Sequence, residues 1–253
     1  MLPAQHWINH FEHNRDRDPK IPWNDPYRLS ATEREIVTRS LQDFELGENA
    51  RGRSFRIRGR HYAIRSKDSL YPRALQLFIW EEQRHSAYLR RFLLAQGIPC
   101  KKAELTDTIF RRLRKLADLD CMISVLLTAE IMAMSYYGAL YHATESPALR
   151  AICRRILRDE VPHLQFQSET LGKVRKNYSP ARRISCEVLQ MVLLIGTSIV
   201  VWVNYARVFK AAHVSCWRVV SRSLHYLWRT FKYSRGRKPE TDLSARKESV
   251  YAR

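Results

Sequence analysis

Apolar residues recur at three- and four-residue spacing over four long stretches of the chain, the signature of amphipathic helices. The first stretch opens at Ser30, where S-x-x-E with Glu33 forms a capping box. It continues through Ile36 or Val37, Leu41, Phe44, Glu48 and Phe55. The second begins near Asp68–Pro72, with proline in the first turn, and runs to Gly97 as its C-terminal cap. Its stripe is Leu75, Phe78, Glu82, His85, Leu89 and Phe92. The third spans about residues 116–143, with Ile123, Leu127, Glu130, Met134, Tyr137 and Tyr141 on one face. The fourth starts at Ser146-Pro147, N-cap then proline, and carries Ile152, Ile156, Glu160, His163, Gln167 and Leu171. With only 8 Gly and 10 Pro in 253 residues, long helices are favoured over a turn-rich β fold, and the predicted class is all-α.

Each stripe is interrupted near its middle by carboxylates, and two also carry a histidine. Glu130 is the only Asp, Glu, Lys or Arg between Asp120 and Glu145, inside the apolar run "VLLTAEIMAMSYYGAL". An unpaired ionised glutamate there is very costly, so it needs either a polar edge or a positive partner. The second helix carries "EEQRH" (Glu81 to His85) and the fourth "DEVPH" (Asp159 to His163). In E-x-x-H the two side chains project from one helical face. Such a pair is weak on its own. It gains weight because each is preceded by a helix offering a lone glutamate, Glu48 or Glu130, at similar intervals of 34 and 30 residues. Glu45, one step round the first helix, competes with Glu48 for the inward position. One Glu from each of two helices and Glu-x-x-His from each of the other two is the ligand pattern of a di-metal carboxylate bundle.

Level placement of the four positions requires the third helix to run parallel to the second, hence a long crossover. From Glu82 to Gly97 is about 22 Å of helix, and from residue 116 to Glu130 about 21 Å. The twenty or so residues between, including "IFRRLRKL", are long enough to return along the bundle.

With these residues in place, the chain resembles the ferritin-like di-iron carboxylate superfamily over about residues 30–175. "GENARGRSF" around Glu48 is similar to the first-helix motif of rubrerythrin-like proteins. "AEIMAMSYYGALYHATESPALRAICRRILRDEVPHLQF" is similar to the third and fourth helices of aldehyde-deformylating oxygenase and N-oxygenase relatives. The resemblance implies that Glu48, Glu82, His85, Glu130, Glu160 and His163 ligate two metals, with Glu82 and Glu160 as bridges. It implies further that Asp159 orients His85, and that Glu81 can do the same for His163, fixing their tautomers. One departure is Pro162 inside the ligand-bearing turn, which removes a backbone hydrogen bond and should kink the helix there. Tyr137 is either a hydrogen-bonding or redox phenol beside the metals, or simply core.

Outside the bundle, residues 1–29 read as an irregular arm. The start lacks the basic-then-apolar order of a secretory signal, and five scattered cysteines read as reduced thiols, both consistent with a cytoplasmic protein. His6, His10, His13, His61, His142, His213 and His225 have no paired spacing and suggest no site. The net charge of +19 is uneven: from Gly172 onward there are 17 Lys and Arg against 4 acids. Within the predicted C-terminal region, 186–232, residues 188–206 lack charge, with Glu187, Gln190, Thr197 and Asn204 forming a polar seam. That segment can pack on the bundle, lie in a membrane interface, or just reach across a bilayer. "WRVVSRSLHYLWRTFKYSRGRK" interleaves aromatic and basic residues as interfacial anchors do, so an anionic membrane surface is an expected partner; without a recognised motif, nucleic acid is not. Residues 238–253 read as a disordered tail.

The expected function is that of a di-iron oxidoreductase, an oxygenase or oxidase, using O2, a small-molecule substrate and an external electron donor. No flavin or nicotinamide fingerprint is present. Iron is the metal the resemblance implies, with a manganese–iron pair compatible, as is a homodimer. A lipophilic substrate would suit an interfacial C-terminal region. The alternatives are ferroxidase or iron handling, and a membrane-associated structural protein with a stabilising metal.

Overall fold

The computed structural model of the chain describes residues 1–17, 20–49, 52–101 and 118–237, and among these all regular structure is helical. The helices are α1 (Ala4–Arg15), α2 (Ala31–Glu48), α3 (Arg53–Ser66), α4 (Tyr71–Ala95), α5 (Leu119–Ala143), α6 (Pro147–Val174), α7 (Pro180–Asn204), α8 (Ala206–Ala211) and α9 (Cys216–Ser234). They fall into two compact units. One comprises residues 2–122 and 146–152, the other Met1, 123–145 and the chain from 153 onward.

In the first unit, α4 is the central element and α1, α2 and α3 pack on it. Ser30 and Glu33 close both halves of the capping box that starts α2: Glu33 N–H donates to Ser30 Oγ at 3.2 Å, and Ser30 N–H to Glu33 Oε2 at 3.1 Å. Pro72 occupies the first turn of α4, where its missing N–H costs nothing. At the other end Gly97 turns left-handed at φ 65°. Ile98 N–H then bonds Leu93 O at 2.8 Å and its side chain is buried, a Schellman stop. The α3–α4 contact is close because Gly59 has no side chain: a Cβ there would sit 2.4 Å from Leu75 Cδ2.

Two expectations for this unit need correction. Residues 1–29 are not wholly irregular, since α1 occupies 4–15. Its Trp7, Ile8 and Phe11 are buried, and Phe11 meets Phe78 of α4 edge-on at 6.3 Å. The first bundle helix does not run through Phe55. It stops at Glu48, and Gly52 restarts the chain as α3 from a left-handed φ of 57°. Ile79 of α4 packs so near Gly52 that a Cβ would be 2.7 Å from its Cδ1. A side chain would meet both backbone strain and a clash, so the break is built into that glycine.

In the second unit, α9 packs along α7. Serine caps start both: Ser179 Oγ accepts from Arg182 N–H at 3.3 Å, and Ser215 Oγ from Arg218 N–H at 3.2 Å. The end of α6 passes against the end of α9 at Gly172, where a Cβ would lie 2.0 Å from the Ser234 carbonyl oxygen. Arg175 donates to Ser124 Oγ at 2.9 Å, tying α6 to α5. α6 continues helical through Pro162. The "IFRRLRKL" crossover (109–116) and the 238–253 tail lie outside the described residues.

Candidate metal centre

In each unit three side chains that could hold a metal ion gather. In the first, Glu48 of α2 and Glu82 and His85 of α4 bring donor atoms within 4.8 Å of one another. Glu48 closes the last turn of α2, so its position follows from where that helix stops. Glu82 and His85 share a face of α4 because they are three apart, with His85 Nδ1 3.8 Å from Glu82 Oε1. His85 is fully buried, Glu82 partly exposed.

In the second unit, Glu130 of α5 and Glu160 and His163 of α6 likewise bring donor atoms within 4.8 Å of one another. Glu160 and His163 are 0 % exposed and Glu130 is 4 % exposed. His163 Nδ1 lies 3.8 Å from Glu130 Oε2 and 3.6 Å from Glu160 Oε2. Both separations exceed a hydrogen bond. They suit two ligands of one ion, since donors each about 2.1 Å from a metal are at most about 4.2 Å apart. All the donor atoms lie within 4.8 Å of one another, so less than an ångström of closure is needed. Carboxylate oxygen with imidazole nitrogen is the donor set of first-row metals such as iron, manganese and zinc. Two buried carboxylates beside each other repel, and a bound divalent cation would offset that repulsion. The residues present therefore fit a metal.

Glu45 is fully buried and spoken for. Its Oε1 accepts from Ser86 Oγ at 3.1 Å and from Arg90 Nε at 2.9 Å, with Arg90 Nη2 at 2.8 Å. The carboxylate holds the Arg90 guanidinium pKa above its ordinary value. Of the two glutamates that competed for the first-helix role, Glu48 joins the metal-competent group and Glu45 pairs with the half-exposed Arg90.

Glu81 and Asp159 are buried and each accepts from groups within its own unit. Glu81 Oε1 takes Asn14 Nδ2 at 2.5 Å as well as Arg84. Asp159 Oδ2 takes Arg155 Nε at 2.7 Å, both residues nearly inaccessible to water. Tyr137 is fully buried with its ring inclined at 63° to that of Tyr136, centroids 5.2 Å apart.

Three supporting residues were given no role from sequence. Gln167 donates from Nε2 to Glu130 Oε1 at 2.8 Å. It sits one turn beyond His163 on the same stripe, which was the available signal. Asn14 comes from α1, hidden by reading the arm as irregular. Arg155 lies one turn before Asp159, at the spacing of a helical ion pair. A cavity of about 280 Å³ also exists in the first unit, lined by Trp23, Tyr27, Phe92 and Gln96 among others. It contains none of the metal-competent residues. No family model, curated protein or solved structure matches the chain.

Proposed function

We propose that Glu48, Glu82 and His85 would hold one iron ion and Glu130, Glu160 and His163 a second, as the ferritin-like resemblance implies, and that the protein is an O2-dependent oxidoreductase. The observation that carries this reading is the buried Glu130–Glu160–His163 group, whose donors converge within 4.8 Å with no more than 4 % exposure. The matching Glu48–Glu82–His85 group doubles it. Glu82 and Glu160 would each offer a carboxylate to the metal in this reading.

Bound ferrous iron would supply the electrons that reduce O2, with an external donor restoring them. The remaining work falls to the chain. Gln167 fixes the orientation of Glu130 through its amide N–H. Glu81 and Asp159, held by Asn14 and Arg155, would keep histidine ligands in the tautomer that offers a free lone pair, as the resemblance implies. Leu127, Ile131 and Ile156, all fully buried, exclude water from the neighbourhood of Glu130 and Glu160. A dry surround of this kind suits an apolar substrate.

The test is O2 uptake by protein loaded anaerobically with Fe(II), compared with His163→Ala and with the same Fe(II) in buffer. Uptake in excess of free iron, lost in the variant, supports the reading. Uptake no faster than free iron overturns it, even if the metal binds.

A further inference from the structure

Helix α7 is inside out. The face it buries includes Gln190 and Ser198 with Leu194 between them, at four-residue spacing. The face it exposes is mainly apolar: Ile184, Val188, Leu189, Val192, Val200 and Val203 are 49–70 % accessible. A helix of a water-soluble unit normally does the reverse. From Val188 to Ala206 it carries no charged residue, and at 1.5 Å per residue Pro180–Asn204 extends about 37 Å. A contiguous exposed apolar strip of this kind, rimmed by polar residues, marks an interaction surface.

The surroundings of this strip name its partner. Over residues 172–237 there are 13 Lys and Arg against a single acid, Glu187, and that acid is paired with Arg235 at 2.7 Å. Arg182 is exposed at one end of the strip, Arg207 and Lys210 at the other, and Arg218 on α9. Trp217 and Trp228 of α9 are exposed, and Lys232 Nζ stands 3.6 Å over the Trp228 ring. Apolar surface bordered by cations and tryptophans matches the boundary between lipid tails and anionic headgroups. It is a poor match to a second copy of itself, which would bring two basic surfaces against each other.

We propose that α7 lies in the plane of an anionic lipid bilayer with its apolar face in the acyl boundary and the basic residues of α7–α9 on the headgroups. Crossing is disfavoured by α9, which packs along α7 and carries Arg218, Arg222, His225, Arg229 and Lys232 at nearly every turn. A pair so charged does not fit a hydrocarbon layer of about 30 Å. This inference stands independently of the metal chemistry.

The test is co-flotation of the full chain with phosphatidylcholine vesicles, with and without phosphatidylserine, for the native sequence and for Leu189→Asp with Val200→Asp. Both substituted residues are exposed, so a native circular-dichroism spectrum is expected and serves as the folding control. Expected are binding to the anionic vesicles that weakens with salt, release by alkaline carbonate, and at least about a tenfold loss of partitioning in the double variant. Binding that the variant retains overturns the proposal, as does resistance to carbonate extraction, which would mean a span. A native chain that ignores both vesicles but forms a dimer broken by the variant also overturns it, and assigns the face to a second copy.

Discussion

Glu45 and Glu48 lie on the same helix three residues apart, and the account gives them opposite jobs that substitution to glutamine separates. Glu45 is 0 % exposed, with Ser86 and Arg90 as partners on Oε1. Breaking a fully buried ion pair by removing one partner costs about 3–5 kcal/mol. Arg90 is half exposed, so water screens part of the interaction, and the expected loss for Glu45→Gln is about 1–2 kcal/mol. In a chain of this size that is a fall in Tm of roughly 2–8 °C. Metal content should not change. Glu48→Gln should do the opposite: thermal unfolding of the metal-free protein moves little, while iron bound per chain falls. The assays are calorimetry on chelator-treated protein and elemental analysis after anaerobic Fe(II) loading and desalting. Loss of metal in Glu45→Gln, with unfolding unchanged, would refute the assignment and give the ligand role to Glu45.

Further consequences concern the other contacts. Gln167→Leu removes the donor that orients Glu130 and should weaken metal binding about 10- to 100-fold in a chelator competition, with unfolding of the metal-free chain little altered. Gly172→Ala places a methyl group 2.0 Å from a backbone oxygen of α9, an overpacking the helix ends cannot relieve by rotating a side chain. It should cost about 2 kcal/mol net of the gain in helix propensity, read as a lower urea midpoint. Burial pushes the Cys153 thiol far above its ordinary pKa, whereas Cys121 is exposed and raised less. Alkylation of the native protein at mildly alkaline pH should label Cys121 well before Cys153, with mass mapping of peptides as the readout.

The parts of this molecule that were legible in the sequence are those encoded by period. Glu82 with His85 and Glu160 with His163 announce themselves by three-residue spacing on apolar stripes, and no tertiary information is needed to put each pair on one face. The ends of α4 were legible too, because proline and glycine act locally. The break between α2 and α3 was not. Phe55 continues the stripe of Val37 and Leu41 in register, and periodicity cannot register one left-handed glycine at residue 52. Nor does period say which side of a helix faces in. The polar seam of α7 was visible as a pattern, but only its neighbours decide that Gln190 and Ser198 are buried while Leu189 is 70 % exposed. Asn14 was missed for a different reason. The short α1 has a weak stripe, Trp7, Ile8 and Phe11, set among histidines and prolines that read as loop.

The most direct test of the central claim is metal stoichiometry of the full-length chain after anaerobic Fe(II) loading and desalting, for the native sequence, Glu130→Ala and Glu160→Ala. The account predicts two irons per native chain, a raised unfolding temperature relative to chelator-treated protein, and loss of both effects in each variant. A native chain that holds no iron, and whose unfolding Fe(II) leaves unmoved, would contradict it.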